Sequence, residues 1–194
     1  MDFAPILKNI SKHISLTPDE AQRFVSMLEY KQVKARKLLL QEGEVCKASY
    51  FVISGCLRGY TVDKNGIEHV LNFAPADWWI GDIYSIITQK PGMLNIEAIE
   101  DTEYLILSMA DQEKLYLEIP KFERFFRIII QNYLVANQQR LIDNMSLSAS
   151  ERYLNFCKVY PSLINRLPQK QIAAYLGVTP EFLSKLKSKL NKKP

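Results

Sequence analysis

The stretch Leu167 to Leu190, LPQKQIAAYLGVTPEFLSKLKSKL, constrains the chain most, because it reads as two short helices joined by one glycine turn. Ile172 and Leu176 form an i, i+4 apolar ridge, and Ala173 beside them is small enough to let a second helix cross closely. Gly177 tolerates positive φ, Thr179 offers an N-cap oxygen, and Pro180 falls at the first helical position, where its missing N–H costs nothing. The second helix therefore starts at Pro180. Leu183, Leu186 and Leu190 then make an inward stripe, leaving Glu181, Ser184, Lys185, Lys187 and Ser188 toward solvent. The pattern implies a helix-turn-helix of the DNA-reading kind, set against a helical hairpin whose lysine face is merely solvated.

Charge separates the two. From Arg166 onward seven basic residues (Arg166, Lys170, Lys185, Lys187, Lys189, Lys192 and Lys193) face Glu181 alone, whereas the whole chain is only +4. A basic terminal module on a mildly acidic body suits phosphate binding by counterion release.

At 194 residues and 47% hydrophobic, the chain is long enough for two unequal domains. MDFAPILKNISKH lacks a sustained apolar run and a cleavage site, and no window approaches a membrane span, so a cytoplasmic protein without membrane contact is expected. Cys46, Cys56 and Cys157 are odd in number and isolated, which argues for structural thiols and against a disulfide framework or metal site. His13 and His69 are the only histidines, and Glu68 and His69 point oppositely from a strand, so neither metal ligands nor a catalytic triad are expected. The chain reads as no enzyme.

Along the chain, Thr17 and Glu20 form a capping box with Pro18 in the first turn, starting a short helix with Phe24, Val25 and Leu28 on its apolar face. Tyr30 to Leu107 changes to short alternating runs, a chain of hairpins that predicts an antiparallel barrel or jelly roll. Asp63-Lys64-Asn65-Gly66 is its clearest turn, with Asn-Gly at the centre, both tolerant of positive φ. Asp111 to Met145 is a long helical stretch broken at Pro120. One seam carries Phe122, Phe126, Ile129, Tyr133 and Ala136, and Ile130, Leu134, Asn137, Leu141 and Met145 lie beside it. That face is too wide for one small domain, so a second copy is the expected partner in a parallel coiled coil, with Asn137 as a polar register element. Ser148 and Glu151 form another capping box, and Tyr153, Leu154 and Cys157 are read as core beneath the helix-turn-helix. The short link Pro161 to Pro168 leaves no room for a long wing hairpin.

The segment QKQIAAYLGVTPEFLSKLK, preceded by SASERYLNFCKVYPSLINRLP and by a long amphipathic helix after a strand-rich half, resembles the Crp/Fnr family of bacterial transcription regulators across nearly the whole chain. The compact tail with its TPEFLSKLK run looks most like the Bacteroidetes branch. The resemblance implies an α+β architecture: an antiparallel, jelly-roll-like β-roll sensor of the cyclic-nucleotide-binding type (1–112), a dimerisation helix (113–146) and a small helix-turn-helix domain (147–194) with a reduced or absent wing. It implies a homodimer that binds a palindromic operator in double-stranded DNA, with RNA polymerase as a further partner and a small-molecule effector in the roll. Thr179, Glu181, Ser184 and Lys185 would then front the recognition helix. Glu181 would accept from cytosine and Lys185 donate to guanine, while Phe182 touches a thymine methyl or fills the domain. Lys170, Lys187 and Lys189 would hold phosphates.

Oxygen-sensing members ligate an iron–sulfur cluster near the N-terminus, and here no cysteine precedes Cys46. In cyclic-nucleotide-binding relatives a Gly-Glu pair takes the ribose, and an Arg-Ser or Arg-Thr pair takes the phosphate. Gly81 and Asp82 stand at the first, and counting on without gaps puts Gly92 and Met93 at the second, with Lys90 the nearby cation. Without the arginine fork, cyclic AMP is not the expected effector, and no cofactor is implied. Trp79 and Tyr84 remain as lining for an apolar or aromatic ligand, with the adjacent Trp78 directed to the opposite face. A sensor or adaptor whose terminal helices bind protein rather than DNA is the competing reading.

Overall fold

The capping, alternation and long-helix patterns all take shape in the computed structural model, which describes residues 2–190. The order is α1 (Ala4–Ser11), α2 (Pro18–Val25), β1 (Leu28–Val33), β2 (Leu38–Leu40), β3 (Ala48–Ser54), β4 (Cys56–Val62), β5 (Glu68–Pro75), β6 (Trp79–Ile80), α3 (Ile83–Thr88), β7 (Asn95–Ala98), β8 (Thr102–Ser108), α4 (Met109–Glu118), α5 (Lys121–Ser146), α6 (Ala149–Val159), a 3-10 turn (Pro161–Leu163), α7 (Gln169–Leu176) and α8 (Pro180–Leu190). Two compact units result. One comprises residues up to Gly59 together with Phe73–Tyr133; the other comprises Tyr60–Asn72 and the chain from Leu134 onward.

The strands form two four-stranded sheets, ordered β1-β8-β3-β6 and β2-β7-β4-β5. This is an antiparallel β-roll and not a closed barrel: β8 runs antiparallel to both β1 and β3, and β7 antiparallel to β2. Phe51 pairs with Leu105, and both are buried, because alternate residues on these strands face one core. That core includes Ile6, Ile10, Phe24, Phe51, Leu105, Leu107, Leu115, Phe122, Phe125 and Phe126. Helix α1 lay outside the sequence reading, yet Ile6 and Ile10, four apart on one face, are fully enclosed there. Helix α2 follows its capping box as expected: Thr17 Oγ1 accepts from the Glu20 amide, and the Glu20 carboxylate accepts from the Thr17 amide.

Helix α5 has 26 residues and, at 1.5 Å each, is roughly 39 Å long. Its first turns correct the expected dimer seam. Phe122 and Phe126 are buried within this chain, Phe122 stacking on Phe24 with ring centroids 4.7 Å apart and Phe126 packing edge-on to Phe125 at 5.0 Å. Ile129 is half-buried against the same cluster. These residues complete the first unit's core and are not available to a second copy. The exposed apolar positions begin later, at Ile130, Tyr133 and Leu134, and continue through Leu141, Ile142 and Met145.

In the second unit the Asp63–Gly66 turn departs from its expected form: only Gly66 has positive φ. Asp63 supplies the reason, its Oδ1 accepting from the amides of Asn65 (2.8 Å) and Ile67 (3.0 Å), so the side chain closes a loop that otherwise needs two left-handed residues. Helix α6 starts at the expected Ser148–Glu151 capping box. Beneath the terminal helices the buried residues are Tyr153, Phe156, Tyr160, Leu163 and Leu167. Leu154 is exposed and Cys157 only half-buried, correcting the expected core: the i, i+3, i+7 row from Tyr153 passes through Phe156 and Tyr160 instead. Among the described residues no strand follows β8, so no wing hairpin is present there.

Candidate nucleic-acid interface

Helices α7 and α8 are joined as the sequence requires. Gly177 sits at φ 67°, ψ 39°, the left-handed cap that ends α7, and its amide donates to the Ala173 carbonyl; the Val178 amide reaches the same oxygen at 3.1 Å. Thr179 Oγ1 then accepts from the Phe182 amide at 3.2 Å, capping α8, with Pro180 in its first turn. Ile172, Ala173 and Leu176 meet Leu183 and Leu186 in a closed interior, and Leu190 is half-buried.

This burial fixes which side of α8 is free. Thr179, Glu181, Ser184, Lys185 and Lys189 are exposed, as is Lys170 at the start of α7. Phe182 is 49% exposed, so it faces outward beside Lys185 rather than filling the domain. Lys187 is half-buried, because it lies one turn after Leu183 on the inward flank. These exposed residues therefore offer an acceptor, two hydroxyls, an aromatic ring and three ammonium groups. Lys192 and Lys193, counted in the basic tail, lie outside the described residues.

A feature invisible in the sequence holds the unit behind this face. Arg140 of α5 donates through Nη2 to the carbonyls of Val70 and Tyr175, both at 2.8 Å, and through Nη1 to the Leu71 carbonyl. Its guanidinium lies 4.0 Å from the Tyr175 ring centroid. One cation thus ties the β5 end of the hairpin to α5 and to the last turn of α7. Gln138, Gln139 and Asp143 beside it make it read as one more solvated charge in the sequence.

The residues assigned to an effector pocket do not assemble as one. Trp79 packs against Phe51 (5.3 Å between ring centroids) and Phe126 (5.4 Å), while its indole N–H donates to Asn9 Oδ1 at 3.2 Å. It is a core residue. Tyr84 and Met93 are 57% and 71% exposed and line no interior. Gly81 is half-buried beside Ile86 and Ala48. Asp82 is buried and turned inward, its Oδ1 capping α3 by accepting from the Ser85 amide at 3.1 Å. Gly92 completes that packing: a Cβ there would lie 2.0 Å from Asp82 Oδ2. Where the resemblance puts a phosphate arginine, the backbone closes on the protein's own carboxylate.

The roll's buried cation is Arg58 on β4, which grips Glu97 Oε2 on β7 through Nε at 2.8 Å and through Nη2. The Cys46 thiol is pushed up by burial, away from nucleophilic use. Among the described residues no cluster of three or more His, Cys, Asp or Glu is placed to hold a metal ion, and no helix is long and apolar enough to cross a membrane.

Residues 30–118 match the family described as "Cyclic nucleotide-binding domain". Among curated proteins, transcriptional regulatory protein btr of Bordetella pertussis is 20% identical over 96% of this chain and 81% of its own length. The anaerobic regulatory protein of Haemophilus influenzae is 20% identical over 92% of this chain and 73% of its own. Among solved structures, FixK2 from Bradyrhizobium japonicum superposes with a TM-score of 0.75 at 19% identity, covering 86% of this chain and 85% of that one. The c-di-GMP responsive regulator CLP of Xanthomonas campestris gives 0.72 at 15% identity, covering 90% and 92%.

Proposed function

We propose that the chain is a transcription regulator of the Crp/Fnr type, as its similarity to regulatory proteins over more than 90% of its length supports, and that it binds an inverted-repeat operator in duplex DNA as a homodimer in the cytoplasm, under control of an effector other than cyclic AMP. The observation that carries the reading is the outward face of α8, where Glu181, Ser184, Lys185 and Lys189 are exposed on a helix whose other side is sealed by Leu183 and Leu186. Thr179, Glu181, Ser184 and Lys185 read base edges, Phe182 contacts a thymine methyl, and Lys170 and Lys189, with Lys187 from the flank, neutralise phosphates. Dimerisation runs along Ile130, Leu134, Asn137 and Leu141, spaced 4, 3 and 4 residues apart on α5, with Tyr133 beside them. The exclusion of cyclic AMP is supported by the inward Asp82 and the closed approach at Gly92. An effector in the roll shifts the population between orientations of the two readers.

The test is selection of bound duplexes from a random pool at about 0.1 M salt, where phosphate contacts still register, with Lys185→Ala in parallel. The expected product is an inverted repeat with half-sites roughly 34 Å apart, relaxed in the variant at one position per half-site. A pool with no enriched sequence, with and without cell metabolites, would instead indicate terminal helices that bind protein.

A further inference from the structure

The second unit contains a cavity of about 280 Å³ bounded by β5, α5, α6 and α7. Its polar lining is Arg140, Asn144, Arg152, His69 and Tyr175, and among the described residues no aspartate or glutamate contributes to it. Both guanidiniums carry a deeply buried Nε with no hydrogen-bond partner among the described residues. Arg140 donates through its Nη atoms to the carbonyls of Val70, Leu71 and Tyr175, and Arg152 donates through Nη1 to Asn144 Oδ1 at 3.2 Å. Asp63 faces the lining's His69 Nε2 at 3.0 Å. Asp143, next to Asn144 in sequence, is held by Gln139 and Asn155. Two permanent positive charges therefore meet at one cavity whose lining, among the described residues, supplies dipoles and no carboxylate. Buried ionic donors left without an acceptor are costly, and the cost is removed by an anion that accepts from them.

We propose that this cavity binds a small organic anion whose oxyanion group, phosphate or carboxylate, is taken by Arg152 and Arg140 with help from the Asn144 amide. The volume supports an organic body beyond the charged group, since it equals roughly nine waters at about 30 Å³ each. Val70, Leu71, Ala174 and Leu176 supply apolar wall for that body. Guanidinium is the cation suited to such groups, because its planar donors match two oxygens at once. The bound anion would join β5, α5, α6 and the turn at Gly177. If α8 reads DNA, as proposed above, it thereby holds the reader; the binding itself does not depend on that reading.

The test is isothermal titration of the full chain at fixed ionic strength with inorganic phosphate, glycerol 3-phosphate and citrate, each referenced to chloride. Saturable one-site binding is expected for at least one of the three, and which one distinguishes a phosphate from a carboxylate ligand. Arg152→Gln should weaken it about tenfold or more, and Arg152→Lys, which keeps the charge but loses the Nε donor, should also weaken it. Lys158→Ala, an exposed charge on α6 away from the lining, should leave it unchanged. Heats no larger than those of chloride for all three anions would overturn the proposal. So would equal loss in Lys158→Ala and Arg152→Gln, which would mean general charge screening. The measurement uses no DNA, so its failure is separable from failure of the operator selection.

Discussion

Leu141→Glu is the sharpest probe of the α5 seam. Leu141 is 60% exposed on the single chain, so its replacement removes little from the fold. Complete burial of a leucine is worth about 1.5–3 kcal/mol, and the part of Leu141 still exposed leaves about 1–2 kcal/mol per copy for a partner to cover. Symmetry brings in two copies of the site, so the loss is about 2–4 kcal/mol, or roughly 30- to 1000-fold in the dimer dissociation constant. Facing carboxylates push it toward the upper end. Sedimentation equilibrium gives the constant, and circular dichroism checks that the monomer stays folded. Phe126→Ala is the counterpart: its ring is buried in the first unit's own core, so it should cost about 3–5 kcal/mol of folding free energy instead. A wild-type chain that sediments as a monomer, or a Leu141→Glu chain that dimerises as tightly as wild type, would refute the seam.

Gly92→Ala should destabilise the first unit by about 2–4 kcal/mol in urea unfolding, since the new methyl collides with Asp82 Oδ2 and displaces the α3 cap. Thr179→Ala should cost about 1 kcal/mol by loss of the α8 cap, seen as faster amide exchange at Phe182. Arg58→Leu alone should cost about 3–5 kcal/mol by stranding Glu97, and the double change with Glu97→Leu should recover most of it; an additive double variant would show the two groups to be uncoupled. Lys121 beside Glu20, Arg23 beside Glu118 and Lys34 beside Asp101 hold those carboxyls below their ordinary values of 4.5, 4.5 and 3.8. Depressed folded pKa values mean that their stabilisation is complete above the ordinary values and lost as pH falls through the folded ones. The thermal midpoint should therefore decline from about pH 4.5 downward, less steeply at high salt because all three pairs are exposed.

What was legible in the sequence is what depends on neighbours along the chain. The capping boxes at Thr17 and Ser148, the left-handed Gly177 and the stripe of Leu183 and Leu186 are set within a turn or two of backbone, and each stands where the pattern put it. Phe122 and Phe126 show the limit. Helical spacing puts them on one seam with Leu134 and Leu141, but which part of a seam meets its own domain depends on where α1, α2 and β8 pack, and that is set by contacts distant in sequence. Phe156 was missed for a related reason: the direction of the α6 face is decided by α7, whose Tyr175 ring lies 5.4 Å from it.

The sites obey the same division. Position in the chain placed Asp82 and Gly92 opposite a ligand, yet whether a carboxylate faces a cavity or its own helix is a matter of one rotamer, and Asp82 has taken the Ser85 amide. Arg140 is the converse. Nothing near it in sequence distinguishes it from a solvated charge, and only the fold brings it the carbonyls of Val70 and Tyr175, some 70 and 35 residues away along the chain. A guanidinium held by backbone carbonyls keeps its net charge, because carbonyl dipoles do not neutralise it. The meeting of Arg140 and Arg152 at one cavity is thus a product of tertiary structure alone, and that cavity reaches the end of α7, one turn of chain from the helix that presents Lys185.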